Sequence, residues 1–183
     1  MAASTNTKRI LIAGFGGQGV LFLGKLLAYV GMAEEKQVSW LPSYGPEMRG
    51  GTANCSVILS DEPIGSPIVS EPDVLIAMNL PSFQKYQPKV VSGGAIVLDS
   101  TLIHEAPARK DVSYYALPAT QMATDENLDG LGNMILLGKL LESCLDTDDT
   151  LAEKALAKVV PAKKAHLLDA NKKAIALGRA YQR

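Results

Sequence analysis

Residues 8–35 read KRILIAGFGGQGVLFLGKLLAYVGMAEE, and this stretch decides the fold. The run from Lys8 to Ala13 is short, apolar and rich in β-sheet formers, which predicts a buried strand. Apolar side chains then recur at helical spacing at Val20, Leu23, Leu26, Leu27 and Val30. A glycine-rich segment separates the two patterns, so the sequence predicts a strand, a tight turn and a helix in succession.

The predicted turn carries the pattern G-x-G-x-x-G at Gly14, Gly16 and Gly19, with one more glycine at Gly17. Glycine permits positive φ and close backbone approach, and the N–H groups at the start of a helix attract anions. We therefore predict phosphate or carboxylate binding, or close packing of another subunit, at these four glycines. The alternative is a tight turn with a purely structural role.

Strands and helices alternate along the rest of the chain. Further strands are predicted at Gln37–Leu41, Thr52–Ser60, Asp73–Met78, Gly94–Leu98 and Val112–Leu117. Helices are predicted at Pro81–Val91, at Leu131–Leu145, at Leu151–Val159 with Thr150 and Glu153 as a capping box, and in the amphipathic tail from Pro161. This alternation predicts an α/β fold, namely a Rossmann-like, mostly parallel sheet covered by helices, with a helical C-terminal tail. We expect one domain over residues 1–183, with its core at about 8–145 and C-terminal helices at about 150–181.

A dinucleotide-binding domain of this kind also needs an acidic residue near the end of the second strand, where it holds the ribose hydroxyls. Glu34 and Glu35 come too early, at the end of the first helix, and the second strand closes on the uncharged residues 40–43. A free-standing enzyme that uses NAD or FAD therefore remains only as an alternative.

The segment SYGPEMRGG, residues 43–51, follows the second strand and is predicted to be a loop at the carboxyl edge of the sheet, where open α/β folds bind ligands. Arg49 could offer a planar cation to a phosphate or carboxylate, while Gly50 and Gly51 would let another chain approach closely. In the alternative, Glu47 and Arg49 form a local ion pair that only shapes the loop. The candidate residues here are Ser43, Tyr44, Gly45, Glu47, Arg49, Gly50 and Gly51.

Two asparagines are weaker candidates. Asn79 follows a predicted buried strand, and Asn133 follows Gly132 at a predicted helix start. Each position suits either a helix cap or a ligand contact, and caps are the commoner role.

Charge and cysteine content exclude several classes of function. The formal net charge is −1, which favours neither nucleic acid nor an anionic membrane as a partner. No apolar stretch is long enough to span a bilayer, and we expect the chain to be cytoplasmic. Cys55 and Cys144 are the two cysteines, so this chain alone is predicted to bind no zinc ion and no cysteine-ligated iron–sulfur cluster.

Several motifs occur together in a fixed order: GFGGQGV at 14–20, SYGPEMRGGTANCSVILS at 43–60, SPIV at 66–69, AMN at 77–79 and LGNMILLG at 131–138. With these motifs the chain resembles the gamma subunit of 2-oxoacid:ferredoxin oxidoreductases, through about Gly138. The sequence of the second motif is more similar to that of the family members that act on 2-oxoglutarate and branched-chain 2-oxoacids than to that of the members that act on pyruvate.

The resemblance implies a hetero-oligomer in which alpha and beta subunits, with a possible ferredoxin-like delta subunit, hold thiamine diphosphate, Mg and iron–sulfur clusters, and ferredoxin accepts the electrons. It implies coenzyme A as co-substrate and no catalytic residue in this chain alone. By the same resemblance, Gly14 to Gly19 would receive phosphate groups of coenzyme A. Tyr44, Glu47 and Arg49 would shape an interface or the entrance for coenzyme A. A non-catalytic assembly module of the same complex remains a further alternative.

Overall fold

The computed structural model describes residues 6–43, 52–105 and 108–182. Within these residues six strands are present, namely β1 (Lys8–Phe15), β2 (Gln37–Ser43), β3 (Thr52–Ser60), β4 (Val74–Ala77), β5 (Ala95–Asp99) and β6 (Ser113–Leu117). The α-helices of the same ranges are α1 (Val20–Ala33), α2 (Leu80–Tyr86), α3 (Ala119–Asp125), α4 (Gly132–Leu140), α5 (Asp149–Val159) and α6 (Leu168–Ala180). No helix in this part of the chain is long and apolar enough to cross a membrane.

The described strands form one mixed sheet in the order β2-β3-β1-β4-β5-β6. β3 pairs antiparallel with both β1 and β2, whereas β1, β4, β5 and β6 pair in parallel. β2 therefore points the same way as β1, and β3 alone is reversed. The predicted α/β fold, with a mostly parallel sheet and a helical tail, is confirmed.

Strand β1 lies in the middle of the sheet and is buried on both faces, which explains its continuous apolar sequence. Successive side chains of a strand point to opposite faces. Ile10 and Ile12 join the hydrophobic cluster that contains α1, α4, α5 and α6, whereas Leu11 and Ala13 join a second cluster with Phe83 of α2. The sheet is thus covered on one face by α1, α4, α5 and α6, with Ala119 and Ala123 of α3 in the same cluster, and on the other face by α2.

Helices α4 and α6 cross at two glycines that face each other. A Cβ atom built on Gly138 would lie 2.0 Å from the backbone oxygen of Ile175, and one on Gly178 would lie 1.8 Å from the backbone oxygen of Ile135. Both neighbours are backbone atoms of packed helices and have no room to move away. The close approach of the tail helix therefore depends on the missing side chains at Gly138 and Gly178.

Several element boundaries differ from the sequence predictions. Helix α3 was not predicted, and the helix expected to continue to Leu145 ends at Leu140, followed by one π-helical turn at Leu141–Leu145. The predicted capping box at Thr150 is wrong, because Asp148 is the N-cap and its Oδ1 accepts a hydrogen bond from the Thr150 backbone N–H at 2.6 Å. The tail begins as a 3₁₀ segment at Ala162–Leu167 before α6 starts.

We predict that Gly178→Ala destabilises the protein by about 2–3 kcal/mol, since a methyl group forced against backbone overpacks the crossing and outweighs the gain of about 1 kcal/mol in helix propensity. Urea denaturation monitored by circular dichroism measures the loss. Gly65→Ala is the matched control, because a Cβ atom there would meet no atom within 4 Å. Equal stability of the two variants would show that the helices do not cross this closely.

Candidate functional site

The carboxyl ends of β1, β4 and β5 meet at one edge of the sheet, and the chain that leaves β6 reaches the same edge. After β1 the chain enters α1 on one face, and after β4 it enters α2 on the opposite face. The point at which successive helices leave to opposite faces opens a crevice between the two strands, and open α/β sheets bind their ligands there. The predicted glycine-rich turn lies at this crevice.

Gln18 ties the glycine-rich turn to the end of β4. Its side-chain Oε1 accepts a hydrogen bond from the Phe15 backbone N–H at 2.6 Å, and its Nε2 donates to the Met78 carbonyl at 2.9 Å. Gly14 makes this arrangement possible, because a Cβ atom there would lie 2.8 Å from Gln18 Oε1 and 2.9 Å from Met78 Cβ. The first glycine of the motif is therefore required for close packing.

The last glycine of the motif is required for two reasons. Gly19 has φ +78°, in the left-handed region, and a Cβ atom on it would lie 2.2 Å from Asn133 Nδ2. Gly17 also has a left-handed φ of +97°, but a Cβ atom there would meet nothing within 4 Å. Gly16 lies exposed in the turn, directly before Gly17. Gly17 and Gly19 thus allow the left-handed backbone of the turn, and Gly19 also leaves room for the Asn133 side chain of α4.

Helix α1 begins directly after this turn with Gly19 as its N-cap, and no side chain caps the helix. The first N–H groups of any helix lack intrahelical partners and carry partial positive charge. No acidic residue occupies the first turn of α1 to offset that charge. The turn can therefore accept an anionic group, as the glycine pattern predicts.

Both predicted asparagines lie next to the turn. Asn79 is 3% exposed and caps α2, since its Oδ1 accepts a hydrogen bond from the Ser82 backbone N–H at 2.8 Å. Its Nδ2 also donates to Gln18 Oε1 at 3.3 Å. Asn133 lies in the first turn of α4, and its Nδ2 donates to the Gly19 carbonyl at 3.4 Å. Asn79 is a cap, as the commoner role predicts, whereas Asn133 is not, because Leu131 is the N-cap of α4 and no side chain caps that helix. Both side chains hold the turn in place.

A cavity of about 290 Å³ opens beside the turn, on the side of β4 and β5. It extends from the glycine-rich turn across the ends of β4 and β5 to helices α3 and α4. The described residues that line it are Gly17, Gln18, Met78, Asp99, Thr120, Ala123, Thr124, Asp129, Gly130, Gly132, Asn133 and Leu136.

Asp99 is the buried carboxylate of this cavity and was missed by the sequence analysis. Its Oδ2 accepts hydrogen bonds from the backbone N–H and the hydroxyl of Thr120, at 3.2 and 2.5 Å, and its Oδ1 accepts from the Thr101 N–H at 3.0 Å. An acid at the end of a buried strand is the signal that could have found it, but the predicted strand stopped at Leu98. Thr124 and Asp129 had no such signal, because they belong to α3 and the loop after it.

The structure leaves most of the second predicted loop untested. Tyr44, Gly45, Glu47, Arg49, Gly50 and Gly51 lie outside the described residues. Ser43 is exposed at the end of β2 opposite Asn54, which in turn pairs with Ala13 of β1. Strand β2 therefore ends at the predicted carboxyl edge, on the β3 side of β1, whereas the cavity lies on the β4 side.

The two cysteines lie on separate elements. Cys55 is fully buried on β3, and burial raises the pKa of its thiol to about 12. Burial also raises the pKa of Cys144, beyond α4, to about 11. Metal ligation requires thiolates, and two protonated thiols on different elements are not the ligand set of an iron–sulfur cluster. In the described ranges no three His, Cys, Asp or Glu residues are grouped to hold a metal ion.

A family model described as pyruvate ferredoxin/flavodoxin oxidoreductase matches residues 9–181 of the chain. The match includes the C-terminal helices, so it extends well beyond Gly138, where the resemblance of the motifs stops.

Two relatives differ in how much of their length they share with this chain. Ketoisovalerate oxidoreductase subunit VorA of Methanothermobacter thermautotrophicus is 37% identical over 175 residues, which are 96% of this chain and 36% of that protein. This chain thus spans about a third of that relative's length. The 2-oxoglutarate synthase subunit KorC of Methanocaldococcus jannaschii is 34% identical over 157 residues, with 84% of each chain covered.

Two solved structures share the fold. The gamma subunit of a keto/oxoacid ferredoxin oxidoreductase from Geobacter sulfurreducens has a TM-score of 0.82 and 27% identity, with 94% of both chains covered. The 2-oxoglutarate:ferredoxin oxidoreductase from Magnetococcus marinus, solved with 2-oxoglutarate, coenzyme A and succinyl-CoA bound, has a TM-score of 0.85 and 25% identity. That comparison covers 95% of this chain and 30% of the other.

We predict that Gly19→Ala destabilises the protein more than Gly17→Ala does. Both substitutions carry the cost of a left-handed backbone, about 1–2 kcal/mol, but only the methyl group at position 19 collides with Asn133. Urea denaturation of the two variants measures the difference.

The collision can be isolated in a double-mutant cycle with Asn133→Ala, which removes the side chain in the way. In that background the cost of Gly19→Ala should fall to that of Gly17→Ala. Additive effects of the two substitutions would contradict the contact between the turn and α4.

Proposed function

Because the chain belongs to the pyruvate ferredoxin/flavodoxin oxidoreductase family, we propose that it is the gamma-type subunit of a 2-oxoacid:ferredoxin oxidoreductase. In this reaction a 2-oxoacid loses carbon dioxide, its acyl group is transferred to coenzyme A, and two electrons pass to ferredoxin. The observation that carries the proposal is the extent of the family match, residues 9–181. We also propose that residues 1–183 form one domain.

The substrate proposed first is 2-oxoglutarate, followed by branched-chain 2-oxoacids. The KorC relative, which this chain matches over most of both lengths, is named for 2-oxoglutarate. The Magnetococcus enzyme is named for the same 2-oxoacid. The VorA relative is named for ketoisovalerate, a branched-chain 2-oxoacid, and supports the second choice.

We assign the cofactor chemistry to partner subunits. Thiamine diphosphate with Mg would supply the carbanion chemistry of decarboxylation, and iron–sulfur clusters would carry the electrons to ferredoxin. Cys55 and Cys144 do not fit a cluster, since each thiol is held neutral by burial and they lie on different elements. The chain therefore acts with alpha and beta subunits, and with a delta subunit where a ferredoxin-like one is present, and contributes no catalytic residue of its own.

The contribution of this chain is binding of coenzyme A. The turn at Gly14, Gly16, Gly17 and Gly19 presents the uncapped start of α1, which suits a phosphate group. Asn79 and Asn133 hold that turn through Gln18 and the Gly19 carbonyl. In the proposal Ser43, Tyr44, Gly45, Glu47, Arg49, Gly50 and Gly51 line the subunit interface or the entrance for coenzyme A.

The sheet order weakens the alternative of a free-standing NAD or FAD enzyme. In a dinucleotide-binding domain the parallel strand beside β1 ends in the ribose-binding acid. Here the antiparallel β3 occupies that place, with Ala53 opposite Gly14, and β2 lies one strand further out. The remaining alternative, an assembly module without a ligand, attributes the glycines to packing alone.

We expect the chain, co-expressed with the thiamine-binding and iron–sulfur subunits and purified without oxygen, to copurify with them and to support coenzyme A-dependent reduction of ferredoxin by 2-oxoglutarate. The chain alone should be inactive. A chain that stays solitary, or binds NAD tightly by itself, would contradict the proposal.

Within the active complex Arg49→Ala separates ligand binding from assembly. Loss of one cation–phosphate contact should raise the KM for coenzyme A by about tenfold, an effect of roughly 1.4 kcal/mol. Lys158→Ala, at an exposed position on α5, is the control and should leave KM unchanged. An unchanged KM in both variants would favour the assembly module.

A further inference from the structure

One half of the sheet has no helix on the face that α2 covers. Side chains that pair across neighbouring strands lie on the same face, and Leu41 of β2 pairs through Ser56 of β3 with Leu11 of β1. Leu11 belongs to the cluster under α2, which packs against β1 and β4 and includes no described residue of β2 or β3. In the described part of the chain, the β2–β3 half of this face therefore has no helix packed on it.

The two strands of this half carry no charge. β2 reads QVSWLPS and β3 reads TANCSVILS, without Asp, Glu, Lys or Arg, although charged residues make up 20% of the whole sequence. β2 is also an edge strand of the described sheet, and exposed edges are ordinarily protected by charged side chains. Depletion of charge is instead typical of the centre of a protein–protein interface.

Large apolar side chains are exposed on the same half of the face. Leu41 is 41% exposed on β2. Phe15, at the end of β1, is 37% exposed and lies on the α2 face, because it follows Ala13 of the α2-side cluster by two residues. Exposed apolar side chains grouped on one surface indicate a site of protein contact.

A groove of about 390 Å³ opens at the amino end of this half. One wall is the sheet, where Ile58 of β3 pairs with Arg9 of β1, and the other wall is the segment after β3, with Ile64 and Ile68. Ile68 is the most exposed large apolar side chain of the described residues, at 69%. Arg9 and Glu62 are the charged residues of the described lining, and their charges cancel. The groove therefore suits an apolar side chain of a partner, while Ile68 projects beside it.

The relatives differ in whether this domain continues into further chain. In VorA and in the Magnetococcus enzyme the matched domain is 36% and 30% of the chain, so most of each protein lies outside it. KorC, in contrast, matches over 84% of its length. The same domain thus occurs both within a long chain and as most of a short one. A separate subunit lacks the covalent link that keeps the domain beside its neighbour, so its contact surface alone must hold the two together.

We propose that the β2–β3 half of the α2 face, with the groove beside it, docks the alpha-type subunit, meaning the counterpart of the greater part of VorA that lies outside the match. This inference rests on the proposed function, in which the chain is a separate gamma-type subunit. The partner surface is apolar and without net charge. It covers Leu41, receives Ile68 in a pocket of its own and inserts an apolar side chain into the groove.

The first test places a charge at the exposed end of the groove. In the complex, assembled from all subunits and purified without oxygen, Ile68→Asp should raise the dissociation constant for release of this chain by about tenfold or more, because an unpaired carboxylate would be buried at the contact. Sedimentation over a dilution series measures the release. Met32→Asp is the matched control, since Met32 is 59% exposed at the end of α1 on the opposite face of the sheet. Equal losses in the two variants would overturn the proposal.

The second test repeats the comparison on the strand itself. Leu41→Asp should also weaken the docking by about tenfold, whereas Leu167→Asp, in the 3₁₀ segment before α6, should leave it unchanged. The two leucines are matched in exposure, at 41% and 38%. Thermal unfolding of each variant separates a loss of docking from a loss of stability.

Photo-crosslinking identifies the neighbour without relying on the folding of a charged variant. A photoreactive benzoylphenylalanine in place of Ile68 should join this chain to the alpha-type subunit when the complex is irradiated, and the same group in place of Met32 should not. Crosslinking from position 68 to the beta subunit, or to a second copy of this chain, would overturn the proposal.

The two proposals fail in different ways. A chain that does not assemble with the other subunits contradicts the proposed function. A complex that assembles and turns over normally, in which Ile68→Asp and Leu41→Asp behave like their controls, contradicts only the assignment of the docking surface.

Discussion

The missing side chain at Gly14 is the constraint on which the carboxyl edge of the sheet depends. Because no Cβ atom occupies that position, the side chain of Gln18 can fold back and reach the Met78 carbonyl on the neighbouring strand. The same amide receives the Phe15 N–H and the Asn79 side chain, so one residue joins the turn after β1 to the start of α2. A methyl group at residue 14 would open all of these contacts together.

That junction lies where the chain distributes its helices between the two faces of the sheet. α1 begins at Val20 and packs on the face shared with α4, α5 and α6, while α2 begins at Leu80 and packs on the other. The start of α1, the cavity and the end of β4 consequently share one small region. Asn133 reaches this region from α4, so that helix supports the turn although it follows it by more than 100 residues.

Periodic patterns predicted the parts of the fold that bury apolar side chains continuously. β1, α1 and β4 were predicted within one or two residues of their observed ends, and the glycine turn was placed correctly between the first two. Helix α3 was missed because only two of its seven residues, Ala119 and Ala123, are buried, which is too weak a pattern. Asp99 was missed as well, because its carboxylate accepts hydrogen bonds from Thr120 of this helix, which was not predicted. The spacing of residues in the sequence does not reveal which glycines have a left-handed backbone or which residues contact Gln18, because both depend on the tertiary structure.

The order of the strands in the sheet was also not predicted from the sequence. This order distinguishes the fold from that of a dinucleotide-binding domain. The sequence pattern of a strand does not reveal which strands lie beside it in the sheet. The absence of an acid after β2 was therefore interpreted as though β2 lay beside β1. The antiparallel β3 actually lies there, and β2 is one strand further out, about 10 Å from β1. A ribose-binding acid at the end of β2 would therefore be too far from the glycine-rich turn to hold a dinucleotide on it. The carboxylate that does approach the turn belongs to the far side, at the end of β5, and its oxygens are already used by Thr101 and Thr120. The fold keeps the glycine turn of a dinucleotide-binding domain while removing the geometry that such a cofactor requires.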